Sequence, residues 1–242
     1  WFEETAPLVI AVEVSDSMRA NDVLPTRLDR ARFKILDLIA ARTGSRTALI
    51  AYAGSAHIVL PPSTDADVLK PFLESLDPAI MPSQGASASA VMPLAIEMLG
   101  DDAAIGTLLF VNDGFDAAEI SLIAEYTGQP GMPALAALVV GTDEGGVAVL
   151  PDGSPVMAES GGRIDTRIDP SLLRRASSET DISVVRLETG DGDIRALQRV
   201  IESNLRLADD PDAQWKDAGW WFIWPALLIA LPWFRRGWTM QW

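Results

Sequence analysis

With 242 residues, 48% of them hydrophobic and 22% charged, the chain has a globular composition and enough length for one full α/β domain with a sizeable core. Thirty-four acidic residues against 19 basic ones give a formal charge of -15, which repels polyanions and excludes nucleic-acid binding through a general basic surface. The lack of cysteine excludes disulfides, zinc–thiolate sites and a cysteine nucleophile, and leaves the redox compartment open.

Residues 7–14, PLVIAVEV, are an apolar, β-branched run of strand length, the pattern of a strand buried on both faces. In LDRARFKILDLIAARTG (28–44), Leu28, Ala31, Ile35, Leu38 and Ile39 recur at helical spacing, which predicts a helix closing at Gly44. TALIAYAG (47–54) and HIVLPPS (57–63) are separated only by Ser55 and Ala56, a hairpin spacing that predicts an antiparallel pair at a sheet edge. STDADVLKPFLESL (63–76) opens with a hydroxyl cap and acids before an apolar stripe, and so reads as a helix.

A loop over 77–87 leads into the small-residue helix ASAVMPLAIEMLG (88–100), interrupted by Pro93 and stopped by Gly100. GTLLFVNDG (106–114) is a second buried strand that ends in an acid and a turn. A helix at 116–127, a strand at 134–140, a helix at 170–178, a strand at 182–187 and a helix at 192–205 complete the alternation. Strand and helix in turn predict an α/β fold: a Rossmann-like, doubly wound, mostly parallel sheet with one antiparallel edge strand. The Gly/Pro/Asp-rich stretch 141–169 exceeds an ordinary connection and is expected to be a β-hairpin excursion.

The last apolar run, GWWFIWPALLIALPWF (219–234), is uncharged, with tryptophans at both ends and Arg235 and Arg236 directly after it. Sixteen residues rising about 1.5 Å each span roughly 24 Å, somewhat short of the ~30 Å hydrocarbon core, with Trp220, Trp221, Trp233 and Trp238 suited to the interfacial belts. The expected organisation is a domain over 1–207, a polar linker over 208–218, a transmembrane helix over 219–236 and a short cytoplasmic tail over 237–242. The arginine pair follows the segment and acids precede it, so the positive-inside rule places the domain outside the cytoplasm, in a bacterium the periplasm.

In open α/β sheets, ligands bind beyond the carboxyl ends of the strands, where the strand order reverses. Two of the most apolar strands end there in Glu13 and Asp113, and Ser15 and Ser17 add two hydroxyl oxygens beside them. Oxygen ligands of this kind suit a hard cation. Alternatively, the serines hydrogen-bond loop amides and Asp113 is a turn residue. A hydrolase would need a nucleophile, a base and an orienting acid, and the one histidine, His57, lies on the expected edge strand. A nucleophile elbow, a P-loop and a dinucleotide glycine pattern are all missing from the sequence.

On these loops the chain resembles a von Willebrand factor type A domain, whose metal-ion-dependent adhesion site is written DxSxS on the first loop, Thr on the second and Asp on the third. The resemblance runs over about residues 7–205. LKPFLESLDPAIMPSQG, the VVGTDEGGVAVLPDG excursion and the Trp-rich segment before Arg-Arg-Gly further resemble bacterial aerotolerance-type (Bat-like) membrane proteins. Such a resemblance implies a non-enzymatic, inner-membrane binding protein that works with sister proteins of the same domain type and a MoxR-type AAA+ ATPase in envelope stress or complex assembly. It implies neither a small-molecule substrate nor a nucleic acid.

The resemblance also implies a Mg2+ or Mn2+ ion on Glu13, Ser15, Ser17 and Asp113. Two positions depart from the pattern. Glu13 replaces Asp and adds a methylene, and the second-loop Thr position is Ala86, which has no oxygen, leaving the neighbouring Ser87 as substitute. The site is degenerate on that reading, and a metal-independent structural subunit of a membrane complex is the rival. Metal-assisted hydrolysis is a third possibility, which lacks a base beyond the two carboxylates.

Overall fold

The computed structural model describes residues 6–129, 131–158 and 161–208. Six strands form one sheet: β1 (Leu8–Glu13), β2 (Thr47–Tyr52), β3 (Ala56–Ser63), β4 (Thr107–Asn112), β5 (Ala134–Val139) and β6 (Ser183–Arg186), in the order β3-β2-β1-β4-β5-β6. All neighbours pair in parallel except β2 and β3, the antiparallel edge. β1, β2 and β4 are buried along their whole length, as strands covered on both faces must be.

The helices are α1 (Arg27–Ala40), α2 (Ala66–Ser75), α3 (Val91–Leu99), α4 (Ala117–Ala124), α5 (Pro170–Thr180) and α6 (Gly192–Ala208). Alternate strand residues face opposite ways and seed two cores. Ile10, Val12, Leu49 and Leu109 pack with Ile35 and Leu38 of α1, Leu69 of α2 and Leu197 of α6. Val9, Ile50, Phe110 and Val139 pack with Val91 of α3, Ile120 of α4 and Leu173 of α5. Three helices therefore cover each face.

Local chemistry sets the helix starts. Thr26 accepts from the Asp29 amide at 3.1 Å, Asp116 from the Glu119 amide at 2.8 Å, and Asp169 from the Ser171 amide at 2.8 Å with Pro170 directly after it. Three expectations need adjustment. α1 ends at Ala40, so residues 41–44 form a turn and not a last helical turn. The segment 88–100 begins as a 3-10 turn over Ala88–Ala90 before α3.

The excursion 141–169 forms no regular hairpin: it is tied by single bridges, Val149 to Pro155, Met157 to Arg163, and Ala148 back to Ala20 beside the first loop. Its Gly, Pro and Asp content satisfies its backbone through turns and side chains in place of a ladder. The compact unit ends at Ala208, where α6 ends. Among the described residues no helix is long and apolar enough to cross a membrane, and the segment expected to do so, 219–236, lies outside them, as do the linker from 209 and the tail.

Candidate functional site: the carboxyl-end loops

The first loop leaves β1 at Glu13. The Val14 amide donates to the Tyr52 carbonyl at 2.7 Å, and Met18, fully buried, pins the 3-10 turn Asp16–Arg19 into the core. This turn directs both serines inward. Ser15 Oγ donates to Glu13 Oε1 at 2.6 Å and lies 2.8 Å from Ser17 Oγ. Asp16 stays at the rim, paired with Arg19.

Glu13 is 1% exposed. Burial pushes its carboxyl well above the usual carboxylate range and the charge of Asp113 adds to this, whereas Ser15, the Asp113 amide and Arg27 pull the other way. The parallel register places Tyr52 of β2 opposite Glu13, and Asn112 of β4 follows Val111, the partner of Val12. Glu13 Oε2, Tyr52 Oη and Asn112 Oδ1 are buried without a hydrogen-bond partner among the described residues. Burial, and then the neighbouring Glu13, also raise the Tyr52 phenol.

The third loop is held through an arginine. Arg27, the first residue of α1, is wholly buried, and its Nη1 donates to Asp113 Oδ2 at 2.9 Å. Its Nε and Nη2 clasp the two oxygens of Asp22 at 2.7 Å each, and Nη2 also reaches the Thr166 carbonyl at 2.5 Å. Such a two-pronged arginine–carboxylate pair is strong and geometrically specific. Asp22 in turn accepts from the amide and hydroxyl of Thr142, at 2.8 and 2.9 Å. Burial raises the Asp22 carboxyl, but Arg27 and Thr142 outweigh it and hold it below the ordinary aspartate range.

Gly141 makes room for this cluster. With φ +146°, a Cβ there would stand 2.7 Å from Arg27 Cζ. The excursion is fixed to the same place, since Thr166 bonds Gly146 and the Val147 amide donates to Asn21 Oδ1 at 3.0 Å.

The second loop is held by backbone. Gly54 donates to the Ser83 carbonyl at 2.9 Å and Ser87 to the Ala53 carbonyl at 2.6 Å, and a Cβ on Gly54 would meet Gln84 O at 2.2 Å. Ala86 is exposed, and Ser87 is half-buried at the start of the 3-10 turn without capping it through its side chain. His57 lies exposed on β3, its Nε2 2.8 Å from Ser55 Oγ.

Of the residues expected at a cation site, the structure brings Glu13, Ser15 and Ser17 into one hydrogen-bonded string, and Asp113 close enough for its charge to act on Glu13. Asp113 is paired with Arg27, Ser15 donates to Glu13, and Ala86 of the second loop carries no side-chain oxygen. No group of three or more His, Cys, Asp or Glu residues able to hold a metal occurs among the described residues. The unpartnered Glu13 Oε2 is one oxygen to set against these, so as they stand the residues do not fit a divalent ion. Sequence reasoning missed Arg27, Asp22, Thr142 and Thr166. A signal was present: a cation in the first turn of a helix opposes the helix dipole and asks for a local anion.

Residues 8–115 match the family model of the von Willebrand factor type A domain. Over this stretch the chain is similar to that domain. The same fold is seen in the conserved hypothetical protein BatB of Bacteroides thetaiotaomicron, with a TM-score of 0.73 at 24% identity over 83% of this chain and 99% of that one. An aerotolerance-related membrane protein of Bacteroides fragilis is similar at a TM-score of 0.73 and 23% identity, over 82% and 99% of the two chains. A UPF0353 protein of Mycolicibacterium vanbaalenii is 36% identical over 72 residues, 29% of this chain, and the match spans 22% of that protein's length.

Proposed function

We propose that the chain is a membrane-anchored protein-interaction module of the aerotolerance-related kind, with 219–236 as a transmembrane helix and the domain on the periplasmic side of a bacterial inner membrane. The partners in this reading are sister von Willebrand domain proteins and a MoxR-type AAA+ ATPase system, and the chain itself performs no catalysis. One observation carries the reading. A groove of about 260 Å³, lined by Arg19, Thr26, Asp77, Pro78 and Leu150 among others, lies beside the first loop. Exposed Leu150 lines it, and Ile80 and Leu24 stand two residues from Pro78 and Thr26, with exposures of 38, 61 and 70%. Apolar side chains beside fixed charges suit a protein partner. Asp113 is paired with Arg27 and Glu13 accepts from Ser15 through one oxygen, which favours binding over hydrolysis.

The test is co-purification from native membranes of the wild type and of Leu150→Asp and Ile80→Asp. The reading predicts that an ATPase or a sister protein follows the wild type and is reduced at least several-fold with either variant; retention of all partners by both variants contradicts it. Because the chain has no cysteine, a single cysteine placed at the exposed Asp152 reports topology. It should react with an impermeant thiol reagent in intact spheroplasts, and protection until lysis would overturn the orientation.

A further inference from the structure

We propose that Arg27 is the resident cation of this adhesion site: its guanidinium, fixed between Asp113 and Asp22, takes the place of a divalent ion, so that the face is complete without metal. The inference rests on reading the carboxyl-end loops as the binding face, but it does not depend on which partner docks there.

Three features support the assignment. The first is position: Arg27 lies where the charges of the third loop, the first loop's extension and the excursion converge, and it makes a hydrogen bond to each. The second is completeness. Nε, Nη1 and Nη2 are all engaged, and the side chain is 0% exposed, so the guanidinium is neither mobile nor open to a partner's carboxylate. In a metal-dependent site the ion keeps a coordination position for an acidic side chain from the partner; a guanidinium with no solvent exposure and four of its five N–H groups already bonded within the domain offers none.

The third feature is that the surroundings are shaped for this arginine. Gly141 leaves the space that the guanidinium fills, and Thr142 orients Asp22 toward it from the opposite side. On the other flank, Ala86 supplies no oxygen that would rebuild an ion's coordination shell. A single positive charge thus organises two acids from loops 91 residues apart, the work a divalent ion does by direct and water-mediated contacts.

Two readouts on the full chain in detergent test this. In Mn2+ titrations followed by the electron paramagnetic resonance signal of the free ion, wild type and Ser15→Ala should bind the same amount, because any uptake belongs to the acidic surface. A Mn2+ ion bound by the wild type, displaced by Mg2+ and lost in Ser15→Ala would overturn the proposal. In thermal melts, Arg27→Gln should lower Tm by roughly 10 °C, as expected for breaking a buried pair in a domain of this size. Adding Asp113→Asn should give a smaller further loss than Asp113→Asn causes alone, since the acid then has no cation to lose. Additive losses would contradict the assignment. If Arg27→Gln does not fold, Arg27→Lys replaces it in the same cycle, and the Mn2+ comparison stands regardless.

Discussion

The two flanks of the carboxyl-end face are built by different means. On the first- and third-loop side, side-chain charge does the holding: Arg27 joins Asp22, Asp113 and Thr166, and the excursion is fastened to the same cluster. On the second-loop side, backbone contacts through Gly54, Ser83, Ala53 and Ser87 hold the middle of the loop, with charge only at its ends, where Arg19 pairs with Asp77 and Glu119 accepts from the Ser89 amide. The difference teaches that loop position and loop chemistry are separable. The fold keeps all three loops in place, while Ala86 in the second loop carries no side-chain oxygen for a metal.

The largest effect should come from the charged flank. Arg27→Met leaves two carboxylates without their cation, and urea unfolding should show a loss of about 3–5 kcal/mol. A loss under about 1 kcal/mol would mean that the cluster is dispensable. The backbone flank comes next. Gly54→Ala forces a Cβ against the Gln84 carbonyl, and the strain should destabilise by about 1–3 kcal/mol. The damage should be local, seen as faster proteolysis within 82–87 without loosening of the excursion.

Asp22→Asn sharpens the contrast through pH. The folded-state carboxyl of Asp22 lies below its ordinary value of 3.8, so its stabilising contribution is complete above that pH and is lost as pH falls through the folded value. The stability gap between wild type and Asp22→Asn should therefore be constant at neutral pH and narrow in acid below 3.8. A gap that widens on acidification would contradict the pairing. The smallest effect belongs to Ser87→Ala, which should stay within about 0.5 kcal/mol of wild type, because its side chain caps nothing.

Much of the fold was legible because buried parallel strands read as unbroken apolar runs, and β1 and β4 both end in polar residues where the sheet meets the loops. The antiparallel β3 followed from a spacing of two residues. The antiparallel turns of the excursion were legible, as bridges from Val149 to Pro155 and Met157 to Arg163, but its anchorage was not: Thr142 and Val147 bind Asp22 and Asn21, more than a hundred residues away, and no local period records that. The motif positions Glu13, Ser15, Ser17 and Asp113 were visible as residue types at strand ends. Arg27 was not, since an arginine beside Leu28 at a helix start looks like surface until the fold buries it.

Calorimetric titration of Mg2+ into the full chain, with Ser15→Ala alongside, tests the central claim most directly. The account predicts the same heats for both proteins up to millimolar Mg2+, and unchanged partner retention in EDTA. A saturable, one-to-one heat present in the wild type and absent in Ser15→Ala would contradict it.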